Sequence, residues 1–335
     1  MAKLQDIAHQ MTQKGKGVLA ADESTPTCSK RFESIGVEST FENRNEYRGL
    51  LITAEGMEEY IGGVIMFDET LQQSTVCDQK MPFPDHLASK GVVPGIKVDK
   101  GTQPIPEASG ELMTEGLDGL RDRCNEYSEL GARFTKWRAV ITIGDGIPTQ
   151  YCIDLAAQGL ARYAALSQEA GLVPIVEPEI LMDGAHNIDD CRLATKRSLT
   201  VVFEELVTHS VDLRGIILKP NMVISGSDAS NRAPSTEVAR QTIDCLLEIV
   251  PAEVPGVAFL SGGQGDEESV VNLDEINKIA NSERLPWELT YSYGRGLQSA
   301  PLATWLGKNE NVLAGQVAFQ RRGLDSSAAR EGVFT

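Results

Sequence analysis

Eight short apolar runs recur along this chain, and most carry a charged or hydroxyl-bearing residue inside them or just beyond their end. Residues 18–21 lead to Asp22, 64–67 to Asp68, 257–260 to Ser261, and 289–293 to Gly294 and Arg295. Residues 92–98 contain Lys97, 134–143 contain Lys136 and Arg138, 173–180 carry Glu177 and Glu179, and 215–219 end on Lys219. Such runs read as strands buried on both faces, as parallel sheets require. Between them lie segments of helical period, such as Leu117, Leu120, Cys124 and Tyr127, or Leu155, Leu160, Tyr163 and Leu166, with further ones at 199–207 and 238–249. A strand-plus-helix unit repeated about every 30–45 residues predicts an α/β chain folded as one (β/α)8 barrel, a TIM barrel spanning 1–335. A doubly wound open sheet is the competing architecture. It would usually place G-x-G-x-x-G after the first strand, where this chain reads LAADEST. The runs alone fit either fold. The polar residues at strand ends favour the barrel, whose active sites gather there. Leu4, Ile7, Ala8 and Met11 at helical spacing, stopped by Gly15, predict a lead-in helix over about 2–13, and a short tail is expected over about 323–335.

The stretch GIILKPNM, 215–222, is the most informative run. Proline has no N–H for the next ladder bond, so Pro220 should end the strand and leave Lys219 as its last residue. An amine at that end meets apolar walls and the mouth of the barrel. Desolvation and a second nearby cation both favour the free amine that attacks a carbonyl. A lysine whose stem is buried and whose head reaches solvent is the plain alternative.

Residues two apart on a strand share a face, so Glu177 with Glu179 and Lys136 with Arg138 should point into one interior. A mixed cluster there could serve as a structural ion-pair network or as catalytic machinery. Amine catalysis at a carbonyl needs a nucleophile, a proton-shuttling carboxyl and a fixed orienting charge, roles that Lys219, Glu177 and Asp22 could fill. Two glycine-rich stretches, LSGGQG at 260–265 and YGRG at 293–296, fall in the loops after the seventh and eighth strands, a recurrent phosphate site of barrels. Arg295 adds a fork-shaped charge. Lys30 and Arg31, downstream of Ser24 and Thr27, form a second basic cluster that an exposed helix start would explain almost as well. His9, His86, His186 and His209 fall in unrelated segments, so no metal site is expected.

The balance of 31 basic and 48 acidic residues gives a net charge of −17, which argues against nonspecific nucleic-acid and anionic-membrane binding. An anionic substrate must then be drawn in by a local basic cluster. No signal-peptide pattern and no run of 18 uncharged apolar residues is present, so a cytoplasmic protein is expected. Cys28, Cys77, Cys124, Cys152, Cys191 and Cys245 are scattered without a C-x-x-C pair and read as reduced packing residues.

Taken in order, LAADES, GIKVDKG, KWR, VPIVEPEI, ILKPNM, FLSGGQ and SYGR closely resemble the class I fructose-1,6-bisphosphate aldolases, over about 15–298. The resemblance implies a (β/α)8 barrel, Schiff-base chemistry without metal or cofactor, a phosphosugar substrate and a homotetramer. It also implies that Lys219 is the Schiff-base residue, Glu177 the main acid and base, and Glu179 a residue holding the lysines in place. Asp22 would assist carbon–carbon cleavage, Lys136 would stabilise the carbinolamine and lower the pKa of Lys219, and Arg138 would touch substrate. Ser261, Gly262, Gly294 and Arg295 would hold the phosphate at the ketose end; Lys97, Ser24, Thr27, Lys30 and Arg31 are candidates for the other.

Two departures from the family pattern stand out. Animal members use a C-terminal tyrosine in enamine protonation, whereas this sequence has no tyrosine after Tyr293 and ends GVFT, so another donor, a carboxyl group or water, is expected. Pro26 and Thr27 stand where glycine and serine are common, which loosens the second phosphate assignment. A transaldolase-like Schiff-base transferase and a catalytically silent scaffold barrel remain as alternatives. The scaffold would lack Lys219 or Glu177, and both are present.

Overall fold

The computed structural model describes residues 3–76 and 80–335, so Ala2 and Cys77 lie outside the described residues. Eight parallel strands close into a barrel: β1 (Gly17–Ala21), β2 (Ile61–Met66), β3 (Val93–Lys97), β4 (Phe134–Ile141), β5 (Val173–Ile180), β6 (Ile217–Leu218), β7 (Gly256–Phe259) and β8 (Glu288–Tyr293), which pairs back onto β1. The helices are α1 (Leu4–Met11), α2 (Thr25–Glu33), α3 (Phe41–Ile52), α4 (Asp68–Leu71), α5 (Phe83–Ser89), α6 (Leu120–Glu129), α7 (Gln150–Glu169), α8 (Ile188–Thr208), α9 (Ser235–Ile249), α10 (Asp266–Glu283), α11 (Arg295–Trp305) and α12 (Val312–Glu331). An antiparallel hairpin, Thr102–Pro104 against Leu112–Thr114, is inserted between β3 and α6. No helix among the described residues is long and apolar enough to cross a membrane.

The closed sheet answers the question left open by the apolar runs, because closure removes both edges that an open doubly wound sheet would keep. Apolar side chains fall into two clusters. The larger packs the helices on the outside of the strands, while the smaller fills the barrel's lower interior with Val18, Ile65, Val93, Phe134, Val173, Ile175 and Ile217. Ile7, Ala8 and Met11 of α1 belong to the inner cluster, so the lead-in helix is the plug that closes the lower end. One position in this layer tolerates no side chain: a Cβ on Gly95 would sit 2.2 Å from the Phe134 ring. Overpacking of this kind costs about 1–3 kcal/mol. Gly95→Ala is therefore expected to lower the denaturant midpoint in urea at an unchanged slope; a midpoint equal to the parent's would refute the packing account.

The largest departures from the expected boundaries are at the sixth strand and the tail. The sixth strand is only Ile217–Leu218, because Leu213–Gly215 forms a 3-10 turn held by Gln168, whose amide donates to the Asp212 and Gly215 carbonyls at 2.9 and 3.2 Å. Lys219 thus lies one residue beyond the strand, though its N–H still donates to the Val176 carbonyl at 2.7 Å. Most of the expected tail at 323–335 is helical, since α12 runs to Glu331 before Gly332 ends it in the left-handed region. The five described cysteines are free and buried.

Candidate active site

The mouth of the barrel, at the carboxyl ends of the strands, encloses a cavity of about 240 Å³. Its walls carry six basic side chains, Arg31, Lys97, Lys136, Arg138, Lys219 and Arg295, against the acidic Asp22, Glu23, Glu177 and Glu179. A locally cationic cleft therefore opens in a chain of net charge −17. A larger cavity of about 1070 Å³ lies at the opposite end, lined by Ile7, Val93, Arg133 and Glu169 among others. That cavity brings together no nucleophile with an acid and a base, so the chemistry belongs to the smaller one.

Lys219, just past β6, Glu177 on β5 and Lys136 on β4 form one buried layer. Glu177 uses both carboxylate oxygens: Oε1 lies 3.1 Å from Lys219 Nζ and Oε2 lies 2.8 Å from Lys136 Nζ. Lys136 Nζ also donates to Asp22 Oδ2 at 3.1 Å, just past β1. Burial pushes the Glu177 carboxyl up, but Lys136, Lys219 and Arg138 outweigh it and hold the group below the usual carboxylate range. Asp22 follows the same pattern: burial raises it, and Lys136, Lys219 and Lys97 bring it well below that range. For Lys136, burial works against the ammonium, yet Asp22, Glu177 and Asp99 keep its pKa above the ordinary lysine value.

One layer nearer the mouth, Glu179 pairs with Arg138. This corrects the expectation that Glu179 holds the lysines: two residues further along β5 it faces the guanidinium rather than either ammonium group. Its carboxylate also limits the loop after β7, where a Cβ on Gly262 would approach Glu179 Oε1 to 2.8 Å. The next residue, Gly263, has φ +72°, and a Cβ there would lie 2.3 Å from the Met182 Cβ. Both positions exclude larger residues, which explains the glycine pair in LSGGQG. Ser261, Gly262, Gly294 and Arg295 all line the cleft. Arg295 is exposed, opens α11, and forms no ion pair among the described residues; no side chain caps that helix.

The second basic cluster is only partly assembled. Ser24 and Thr27 line the cleft, and their hydroxyls lie 3.1 Å apart. Lys97 lines it too, with Nζ 3.1 Å from Asp99 Oδ1. Arg31 reaches it while paired with Glu23. Lys30 is exposed and does not reach the cleft, because Thr27 and Arg31, one turn apart, occupy the inward face of α2.

Several lining residues escaped the sequence reading. Glu23 is buried and holds Arg31, while its Oε2 lies 2.7 Å from Arg48 Nη1 and its Oε1 accepts from Gln298 Nε2 at 2.8 Å. Its position beside Asp22 was a usable signal; nothing in the sequence marks Arg48 or Gln298. Ser292 is buried in the cleft wall with no hydrogen-bond partner for its hydroxyl among the described residues. It stands inside the SYGR motif.

Comparison with known proteins agrees with this geometry. The family described as fructose-bisphosphate aldolase class-I matches residues 3–335. A probable fructose-bisphosphate aldolase class 1 of Xanthomonas campestris pv. campestris is 52% identical over 303 residues, covering 90% of this chain and 89% of that protein. The cytosolic fructose-bisphosphate aldolase 4 of Arabidopsis thaliana is 51% identical over 320 residues, covering 96% of this chain and 80% of the relative. Among solved structures, the aldolase of Plasmodium falciparum, crystallised with TRAP and a small-molecule inhibitor, superposes with a TM-score of 0.96 at 46% identity, over 99% of this chain and 95% of that one. The chain belongs to the class I fructose-bisphosphate aldolase family.

Proposed function

We propose that Lys219 is the Schiff-base nucleophile of this aldolase, a carbon–carbon lyase of glycolysis that reversibly cleaves fructose 1,6-bisphosphate into dihydroxyacetone phosphate and glyceraldehyde 3-phosphate. The observation that carries the assignment is the buried chain Lys219–Glu177–Lys136–Asp22, in which one carboxylate touches both ammonium groups at 3.1 and 2.8 Å. In this reading the Lys219 ammonium first passes a proton to Glu177, 3.1 Å away, the freed amine attacks the C2 ketone, and the carbinolamine hydroxyl leaves as water with that proton returned from Glu177. Lys136 stabilises that carbinolamine. The regenerated carboxylate then takes the C4 hydroxyl proton, with Asp22 beside it. As the C3–C4 bond breaks, its electron pair flows into the iminium and leaves an enamine. A proton at C3 and hydrolysis return the free amine and the second product. A single buried carboxyl group held between two cations suits both directions of proton transfer.

The cationic lining supports a substrate with a phosphate at each end. Ser261, Gly262, Gly294 and Arg295 form one end of this reading; Ser24, Thr27, Arg31 and Lys97 form the other, with Arg138 between them. Lys30 has no place in it.

Borohydride reduces an iminium to a stable amine, so the protein is incubated with dihydroxyacetone phosphate, borohydride and a chelator, and the adduct is mapped by mass spectrometry. The expected result is a substrate-sized adduct on Lys219 and cleavage activity that survives the chelator. An adduct elsewhere, or activity lost to the chelator, would sink the assignment. Exposed apolar side chains on the outer helices, such as Tyr151 on α7 and Leu193 on α8, fit subunit contacts and support the homotetramer; the mass in solution tests it. A cytoplasmic setting is supported by the cytosolic designation of the Arabidopsis relative, and fractionation of cells tests it.

A further inference from the structure

The strand that delivers the nucleophile is the weakest in the barrel. It has two residues, and it is paired with β5 only through Ile175 to Ile217 and Val176 to Leu218. Proline stands on β5 where that pairing would continue, Pro178 between the two glutamates, and a second proline, Pro220, directly follows the lysine. Pro178 faces this seam and has no N–H to donate, so the next ladder bond to the Lys219 segment is missing, whereas Pro220 faces β7, where its carbonyl accepts from the Leu260 N–H at 3.2 Å. Its last bond is the one from Lys219 N–H to the Val176 carbonyl, at 2.7 Å, and no further backbone bond joins the two segments among the described residues.

A side chain continues where the backbone stops. Asn221 is buried, and its Oδ1 accepts from the Ile180 N–H at 3.1 Å, three residues beyond Glu177 on β5. Its Nδ2 donates to Thr195 Oγ1 on α8 at 3.1 Å and to the Met222 carbonyl at 3.0 Å. One amide therefore ties β5, the segment after Lys219 and α8 together past the break. The 3.1 Å spacing of Lys219 Nζ and Glu177 Oε1 depends on the register of those two segments.

We propose that Asn221 is a positioning residue for the reaction: its amide takes up the Ile180 N–H beyond the bond that Pro178 removes and so fixes Lys219 against Glu177. The inference rests on the assignment of Lys219 as nucleophile, and it adds a residue that touches neither substrate nor the reacting atoms. Misplacing a reacting group by about 1 Å costs on the order of 100-fold in rate.

The test compares Asn221→Ala with Thr195→Val in the full-length protein. Thr195→Val removes one Nδ2 partner but leaves the bridge from Asn221 to Ile180. Thermal midpoints, kcat, KM and the borohydride-trapping rate are measured well below either midpoint. Asn221→Ala is expected to lower kcat and the trapping rate by roughly 10-fold to 100-fold with little change in KM, while Thr195→Val lowers the midpoint and leaves both rates within about 3-fold of the parent. Asn221→Asp should recover most of kcat, because burial favours the neutral acid, which keeps an acceptor for Ile180 and a donor for α8. If Asn221→Ala does not fold, Asn221→Ser is read the same way, since its shorter hydroxyl cannot span the gap to Ile180. Parental kcat in a folded Asn221→Ala or Asn221→Ser overturns the proposal, as does an equal loss in Thr195→Val. Failure of the Schiff-base assignment is seen separately, as absence of the Lys219 adduct in the unsubstituted protein, and it removes the positioning proposal with it.

Discussion

Lys219→Met is expected to lower kcat for bisphosphate cleavage by roughly 10⁴- to 10⁶-fold, the scale of losing a covalent nucleophile. Methionine keeps much of the stem's volume and removes the amine, so no iminium forms and C3–C4 cleavage has no electron sink. Other groups in the cleft cannot substitute: Lys136 is held between Glu177 and Asp22, 2.8 and 3.1 Å away, and its pKa stays above the ordinary lysine value. Substrate binding should survive, because the phosphate-facing side chains are untouched. The substitution also leaves Glu177 Oε1 without its partner at 3.1 Å, so some stability is lost. Single-turnover rates together with equilibrium binding of the bisphosphate check both parts. A variant within about 100-fold of the parent would place the nucleophile elsewhere.

Lys136→Met should damage stability and chemistry together. The ammonium is the common partner of Asp22 and Glu177, and its removal leaves two buried carboxylates facing one another. Breaking one side of a buried ion pair costs about 3–5 kcal/mol, so the denaturant midpoint should fall markedly. Cleavage is expected to slow by at least about 10³-fold, since neither the carbinolamine nor the charge on Glu177 is then stabilised. The pH dependence follows from signs. In the parent, Asp22 and Glu177 have folded pKa values below their ordinary ones, so their contribution to stability is present above pH of about 4 to 5 and is lost as pH falls through the lower folded values. Without Lys136, burial and mutual repulsion raise both carboxyls instead. The acid limb of activity then moves to higher pH, and stability falls rather than rises from acid to neutral pH. Denaturation and kcat/KM across pH 4 to 9 read both effects. An unshifted acid limb would show that Lys136 does not set the charge of Glu177.

Much of the scaffold was legible in the sequence because it is written in near neighbours. Apolar runs locate strands, a proline after Lys219 ends one, and a two-residue period puts Lys136 and Arg138, or Glu177 and Glu179, on one face. Those rules placed all eight barrel strands to within a few residues, although the sixth is cut to Ile217–Leu218 by a turn that Gln168 holds from a distant helix. The family motifs singled out Lys219, Glu177 and the glycine loops, and the cleft brings those residues together.

What the sequence determined about this protein, then, is the order of its strands and which reactive side chains stand at their ends. Only closure of the barrel decided the pairing. Lys136 meets Asp22 across 114 residues, Gln298 meets Glu23 across 275, Glu179 chooses Arg138 over the lysines, and Arg31 turns inward to Glu23 while Lys30 turns away. Spacing along the chain carries no record of such choices. They depend on which strand ends meet when β8 pairs with β1, and on burial that makes each charge costly until it finds its partner.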